Sequence, residues 1–568
     1  MLNTSILNWL TKHFNDITNE EIKIINLFHT SILADGNHEI SKKDFDIIFD
    51  KQKQKLLGIT YTPKAIRERL TNYIIEELKK EKDIENTRIS DPCCGSGLFT
   101  ITLIEKLLSL KIDHKKIIEN IVYISDIDKI SVLISLVNIY EFFKNLNIDI
   151  TNYRLNAQIQ DFIHSTGKFD AYITNPPYVK IQNITPKNRE FLKNTYPELF
   201  FGSMGLSTIF LKKMLDGLNE NGMLGIITQN NLFTSNAAKK LRKEIQFKIK
   251  KIETFGSSRI FEGVNAYTCL LYLQKKDLKS FKYKKIKSFT DLNKKSDFIL
   301  NKSLHYSKWR LGSSSELEDI NNLEKKGIAL GDACTIWVGI ATQFDKGFTV
   351  FKKKNKWYGS DPDGIEHEVE SNIVKKLIRI ADIDNESFLK KNNRGIIYPY
   401  KIESGKILDF SESELSKTYP KTFTYLLKWK KRLNERQKGN FNKDDWFKWG
   451  RIQSMHPTKN KILTKTFDKK PNFYFDKSDS LFSNGYALNT KLSTFDLNFV
   501  HKVLNSKVFE YYMKITSFEI EGDYQCYQKN FIEKFNLPFI DIETQKKVTK
   551  ENKVDSFYKK YFKLNLNI

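Results

Sequence analysis

A chain of 568 residues is too long for one hydrophobic core, and 40% hydrophobic residues with 41 Phe and 25 Tyr suffice to fill two. No run of about 18 apolar residues occurs, so no membrane span is expected. The start, MLNTSILNWLTKHFND, has neither the basic nor the apolar region of a secretory leader, which leads us to expect a soluble, cytoplasmic chain. The net charge of +25 favours a polyanionic partner, although part of the lysine excess is common to Lys/Asn/Ile-rich proteomes.

In chain order, residues 1–55 read as a polar N-terminal helical extension, with an amphipathic pattern in EEIKIINLFHTSIL. From about 56 to 275 short apolar runs alternate with helical patterns: TRISDP, IVYISD, FDAYITN, GMLGIIT, IETFG and YTCLLYLQ. Strands alternating with helices predict βαβ units and a mostly parallel, Rossmann-like α/β sheet, in a domain placed at 56–310. The Lys/Ser/Asn-rich stretch 276–330 is expected to carry the connection between domains. Residues 331–568, aromatic-rich and irregular, are expected to form a second, α+β domain. The five cysteines (Cys93, Cys94, Cys269, Cys334 and Cys526) show no CxxC and no zinc spacing, so neither a disulfide framework nor a metal site is expected.

Three strand ends carry chemistry. ISDPCCGSGLFTITLIEKLL (89–108) leaves a strand, turns through Asp91, Cys93, Gly95 and Gly97, and enters a helix, where glycines let a ligand approach the backbone. It is neither a P-loop, since Leu98-Phe99 replaces the Lys-Ser/Thr pair, nor a dinucleotide fingerprint, since Thr100 replaces the third glycine. In NIVYISDID (120–128), Asp126 is placed to accept hydrogen bonds from ribose hydroxyls while Ile127 covers an adenine face; capping the next helix is the competing role. Asp161-Phe162 is a third candidate, for the amino group and ring of an adenine or for a loop cap.

YITNPPYVK (172–180) ends a strand at Asn175, Pro176, Pro177 and Tyr178. An exocyclic aromatic amine is a poor nucleophile. The Asn175 side-chain oxygen and the proline-fixed carbonyl of Pro176 are two acceptors for its N–H groups, and they stabilise positive charge that develops in the transition state. Tyr178 offers a face on which an extruded base can stack. A proline-terminated strand with a buried tyrosine would account for NPPY taken alone.

DPCCGSGLF, SDID, DF and NPPY, in this order and spacing, resemble the S-adenosylmethionine-dependent methyltransferases that act on adenine N6 in DNA. Their order, with a large C-terminal region last, resembles the gamma-class, TaqI-like enzymes. That resemblance implies a cofactor site including Tyr61, Thr62, Asp91, Cys93, Gly95, Gly97, Asp126, Ile127, Asp161, Phe162 and Asn175. It implies a target site of Asn175, Pro176, Tyr178 and Phe261, the last from GSSRIFEGVNAYTCLLYLQK (256–275). It further implies duplex DNA as partner, a C-terminal target-recognition domain at 331–568, and a place in a restriction-modification system, with a cognate endonuclease possible, or as an orphan methylase. Cys93-Cys94 departs from the family's single cysteine preceded by alanine, and no PD…ExK nuclease arrangement is found. In the C-terminal half, KWKKRLNERQ (428–437) and WFKWGRIQ (446–453) nominate Lys430, Arg432 and Arg451 for DNA contact; a solvated helix face competes for the first two. Three alternatives stay open: an RNA or protein N-methyltransferase, a modification subunit needing a separate specificity subunit, and a DNA-binding subunit with a vestigial cofactor fold. Oligomeric state and recognition sequence are not readable.

Overall fold

The computed structural model describes residues 4–30, 42–43, 46, 60–200, 205–256, 267–286, 288, 291, 295–436 and 443–566. The chain divides into two compact units, Met1–Ser314 and Ser315–Ile568.

The first unit is built on β1 (Ile89–Asp91), β2 (Val122–Asp126), β3 (Asn156–Ile159), β4 (Phe169–Thr174), β5 (Leu218–Gln229), β6 (Ile249–Thr254), β7 (Thr268–Gln274), β8 (Ser280–Lys285) and β9 (Asp297–Leu300). They form one mixed sheet in the order β3-β2-β1-β4-β5-β7-β6-β8-β9. Neighbours from β3 through β5 are parallel, as are β6 and β8. β7 runs antiparallel to β5 and β6, and β9 to β8. The mostly parallel α/β sheet expected from the sequence is therefore present. β4 and β7 are buried on both faces, so FDAYITN and YTCLLYLQ read as near-continuous apolar runs. The stretch expected as a connector does more than connect: 280–285 and 297–300 extend the sheet as β8 and β9, and Ser314–Lys325 is a helix.

Around the sheet lie α1 (Thr4–Thr11), α2 (Asn19–Phe28), α3 (Lys64–Leu78), α4 (Leu98–Ser109), α5 (Lys129–Asn145), α6 (Pro186–Thr195), α7 (Leu206–Asp216) and α8 (Lys239–Ile245). α5, KISVLISLVNIYEFFKN, is buried at every residue from Ser131 to Phe143. A helix apolar all round needs cover on every side. The sheet covers one side, and α1 and α2 cover another, bringing Ile6, Trp9, Leu10, Ile25 and Phe28 into the core that holds Val132, Leu136 and Ile139. Trp9 Nε1 donates to the carbonyl of Tyr153 at 2.8 Å. The described part of the N-terminal extension is thus a layer of the first unit's core. α3 lies close against β5 because Gly225 leaves room; a Cβ there would come within 2.7 Å of Ile74 Cγ1.

The second unit is α+β. A four-stranded antiparallel sheet combines Cys334–Val338, Gly485–Thr490, Lys461–Lys465 and Phe473–Asp476. A six-stranded sheet includes Thr349–Lys353, Lys356–Ser360 and Arg394–Ile397. Helices Pro420–Asn434, Leu497–Leu504, Lys507–Thr516, Ile542–Lys550 and Val554–Phe562 complete it. Its aromatic wealth is largely core: Trp429, Trp446, Phe447 and Trp449 share one cluster, and Phe509, Tyr512, Phe535 and Tyr558 another. Among the described residues, no helix is long and apolar enough to cross a membrane.

Candidate active site

The chain steps outward from β1 to β2 and β3 on one side and from β4 to β5 on the other, so strand order reverses between β1 and β4. A crevice opens at the carboxyl ends of strands at such a point. A cavity of about 280 Å³ is lined there by Thr62, Cys93, Gly95, Asp126, Asp161 and Asn175, together with Ile127 and Phe162. Thr62 comes from the segment before α3, and the others from the ends of β1, β2, β3 and β4 and the segments that follow them.

The glycine turn places Gly95 at φ 55° and Gly97 at φ 80°, backbone that glycine adopts without strain. A Cβ on Gly97 would come within 3.0 Å of Ser135 Cα. α5 braces this turn: Ser135 Oγ donates to the Gly95 carbonyl at 2.9 Å and Asn138 Nδ2 to the Ser96 carbonyl at 3.1 Å. Asp126 closes it from β2, accepting the Gly95 N–H on Oδ2 and the Asp128 N–H on Oδ1, both at 3.0 Å. The two acids of SDID divide their work. Asp128 caps α5 by accepting from the Ser131 N–H at 3.0 Å, and Asp126 faces the cavity. Burial pushes Asp126 up to about 6, against the pull of those backbone N–H groups, and pushes Asp91 up to about 7.

Asp161 does both things considered for it. It lines the cavity, and it caps the short turn Phe162–His164 through the Ile163 N–H at 3.1 Å. Its other oxygen accepts from Asn188 Nδ2 at 3.0 Å. Phe162 is buried against Phe210 and Tyr172, with one part of its surface on the cavity.

At the end of β4, Asn175 is held at both ends of its carboxamide. Nδ2 donates to Thr62 Oγ1 at 3.1 Å, and Oδ1 accepts from Tyr178 Oη at 2.8 Å. Burial pushes the Tyr178 phenol well above its usual range, so it stays a neutral donor. Pro176 is buried and Pro177 lines the cavity. Thr174 Oγ1 donates to Asp91 Oδ1 at 2.7 Å and receives the Cys93 thiol at 2.9 Å, tying β1 to the NPPY turn. Burial, then the nearby Asp91 carboxyl, pushes that thiol well up, so Cys93 packs as a thiol.

Two residues that matter here carry no motif. Arg67 of α3 is buried and donates through Nε to the Thr62 carbonyl at 3.0 Å and through Nη1 to the Leu98 carbonyl at 2.8 Å, fixing Thr62 beside Asn175. Its only signal is a lone arginine on the apolar face of KAIRERL. Thr174 reads simply as a strand residue. Tyr61 packs against the first unit's core and Asp91 sits behind the turn. Phe261 lies outside the described residues. Lys430, Arg432 and Arg451 belong to the second unit. Lys430 lies 3.3 Å from Glu412 and over the Trp446 ring, Arg432 lies 3.6 Å from Glu435, and Arg451 is exposed.

Residues 99–261, which hold α4, Asp126, Asp161 and the NPPY turn, match the family described as Eco57I restriction-modification methylase. The chain is similar to the type II restriction enzyme and methyltransferase RM.Eco57I of Escherichia coli, 22% identical over 90% of this chain and 59% of that protein. It therefore spans 59% of that relative's length. It is also similar to the type II methyltransferase M.BstVI of Geobacillus stearothermophilus, 22% identical over 85% of this chain and 90% of that one. Among solved structures, the type IIL restriction-modification enzyme MmeI, determined in complex with DNA, shares the fold with a TM-score of 0.61 at 14% identity, covering 90% of this chain and 73% of that one. These likenesses place the chain beside type II methyltransferases of restriction-modification systems.

Proposed function

We propose that this chain is a site-specific DNA methyltransferase that moves the methyl group of S-adenosylmethionine to N6 of an adenine turned out of duplex DNA. The observation that carries the reading is the carboxamide of Asn175, fixed by Thr62 and Tyr178 where Asn175 lines the cavity at the end of β4.

The residues fit S-adenosylmethionine. The Gly95–Gly97 turn leaves its backbone open, as Gly95 has no atom within 4 Å of a would-be Cβ. Asp126 retains lone pairs for ribose hydroxyls, and half-exposed Ile127 with Phe162 offers apolar faces to an adenine. When bound, the cofactor supplies a sulfonium-activated methyl group. Asp126 brings a carboxyl to the cavity wall for a cationic ligand, and Asp91 lies behind the turn. Asp161, already bonded to Asn188, is the acceptor for an adenine amino group.

The target amine needs two acceptors. Asn175 Oδ1 is one, at present taken by the Tyr178 hydroxyl, and the Pro176 carbonyl is the other. As the nitrogen takes on positive charge both contacts strengthen, so they lower the barrier more than they tighten binding. The proton leaves to water after transfer. The Tyr178 ring stays to stack on the base, with Phe261 as its proposed partner. The second unit, holding Lys430, Arg432 and Arg451, is the proposed target-recognition domain, reading duplex DNA on behalf of the first.

A labelled-methyl assay of the purified chain on duplex DNA, RNA and protein tests this. Label on DNA alone is the expected result. Label on RNA or protein with none on DNA would replace the reading with one of the alternatives.

A further inference from the structure

Outside the cavity, α8 carries an excess of basic residues. KKLRKEI carries Lys239, Lys240, Arg242 and Lys243 against the single carboxylate of Glu244, which Lys212 already engages at 2.9 Å. Three lysines close to α8 in sequence or on the neighbouring strands are paired: Lys248 with Asp277, Lys250 with Glu77, Lys276 with Glu81. Lys239 and Lys243, one helical turn apart and both exposed, have no ion-pair partner among the described residues. Their ammonium groups instead lie over the ring of Tyr306, at 5.3 and 5.9 Å from its centroid.

This platform is built rather than incidental. Arg242 is fully buried and spends its guanidinium on four carbonyls: Leu232 at 2.7 Å, Ser235 at 2.8 Å, Tyr306 at 2.8 Å and Ser307 at 2.5 Å. None carries charge. The staple holds the Tyr306 segment against α8 and leaves a buried cation beneath two exposed ones. Trp309 adds to the anchor, donating its backbone N–H to the Phe233 carbonyl at 2.8 Å and stacking on the Phe233 ring. A ring under an ammonium group restrains it while leaving its N–H donors free for an anion.

Its place in the fold gives the anion a source. β5 ends at Gln229 on the edge where the cavity opens, and Tyr178 Oη lies 3.4 Å from the carbonyl of Ile227 on the same strand. The chain then turns through Asn231–Thr234 and enters α8, so Lys239 follows the end of β5 at Gln229 by ten residues. Asn230 bonds the Tyr267 carbonyl and, through Nδ2, that of Gly256, so the β6–β7 connection leaves from the same edge. An extruded nucleotide turns about its own backbone, which brings the flanking phosphates to the mouth of the pocket that receives the base.

We infer that Lys239 and Lys243, on the Tyr306 platform, form a clamp for the phosphate backbone of duplex DNA beside the extruded nucleotide. This rests on the function proposed above and adds a DNA contact on the catalytic unit itself. Phosphate contacts position without reading sequence, so the clamp contributes affinity and register but no base preference.

The test is a salt titration of binding to a short duplex carrying the site that the wild-type protein methylates. The Lys239→Gln/Lys243→Gln protein should lose about 0.9 of salt slope per lysine, about 2 in all, with site preference and S-adenosylmethionine affinity unchanged. Lys239→Arg/Lys243→Arg should restore the slope. Lys111→Gln/Lys115→Gln, an exposed pair between α4 and β2 at the opposite edge of the sheet, should leave it at the wild-type value. An unchanged slope in the first variant, or an equal loss in the opposite-edge variant, overturns the clamp while DNA methylation stands. A wild-type protein that labels RNA or protein but not DNA removes the proposed function and the clamp with it.

Discussion

Replacing Tyr178 with Phe separates the two things its side chain does. The ring remains, and with it base stacking worth about 1–3 kcal/mol. The hydroxyl goes, and with it the 2.8 Å bond to Asn175 Oδ1. That oxygen is the acceptor the target amine requires, so in the resting protein the hydroxyl competes with the substrate. A net hydrogen bond of this kind is worth about 0.5–1.5 kcal/mol, so its removal should raise the target-ready population about 2- to 13-fold. The amide itself should hold its orientation, since Nδ2 still bonds Thr62 and Arg67 still fixes Thr62. The assay is single-turnover methylation at saturating cofactor, alongside fluorescence of a duplex with 2-aminopurine at the target. The Phe variant should match or exceed wild type in both, whereas Tyr178→Ala should lose both. A Phe variant with intact cofactor affinity and a first-turnover rate down about ten-fold or more would show that the hydroxyl serves the reaction, refuting the competition.

Asn175→Ala should abolish most turnover and leave S-adenosylmethionine affinity nearly intact, because its oxygen matters mainly in the transition state; near-normal single-turnover rates would count against it. Asp126 at about 6 and Asp91 at about 7 hold protons in the free fold that the unfolded chain would release, so their contribution to stability is full below about pH 4 and is lost as pH rises through those values. A cationic cofactor favours the ionised carboxyls, so its affinity should climb between about pH 5 and 8, and Asp126→Asn should flatten the lower part of that rise. Calorimetry showing affinity that falls across the window would contradict the placement. Trp9→Ala should cost about 3–5 kcal/mol of unfolding stability, since Trp9 of α1 is 1% exposed and packs on Tyr140 of α5; a loss within about 0.5 kcal/mol would show that the N-terminal layer is dispensable.

What the sequence made legible follows burial. β4 and β7 stood out because both faces are covered, and the glycine turn because positive φ demands glycine at Gly95 and Gly97. β3 carried no such signal: NAQI is an edge strand with an exposed to half-buried pattern and no apolar run. β8, SFKYKK, alternates weakly within a lysine-rich stretch, so its charge masked its period. α5 is apolar almost all round and needs cover beyond the sheet, yet nothing local in the sequence says that residues 4–30 supply it. Aromatic residues near basic ones in WFKWGRIQ looked like an interface, whereas Trp446, Phe447 and Trp449 are buried, leaving Arg451 and Ile452 outside. NPPY located the site, but the bond from Tyr178 to Asn175, the support from Thr62 and the staple by Arg67 depend on segments far apart in the chain, which no spacing rule reads.

The central claim is tested most directly by the chemical identity of the product. Duplex DNA incubated with the purified protein and labelled S-adenosylmethionine would be digested to nucleosides and analysed by mass spectrometry. The predicted result is label in N6-methyladenine, at one short sequence motif, and none in DNA treated with the Asn175→Ala protein. Label in N4-methylcytosine would keep the methyl transfer and contradict the adenine target, and a wild-type protein that modified no DNA base would contradict the proposal as a whole.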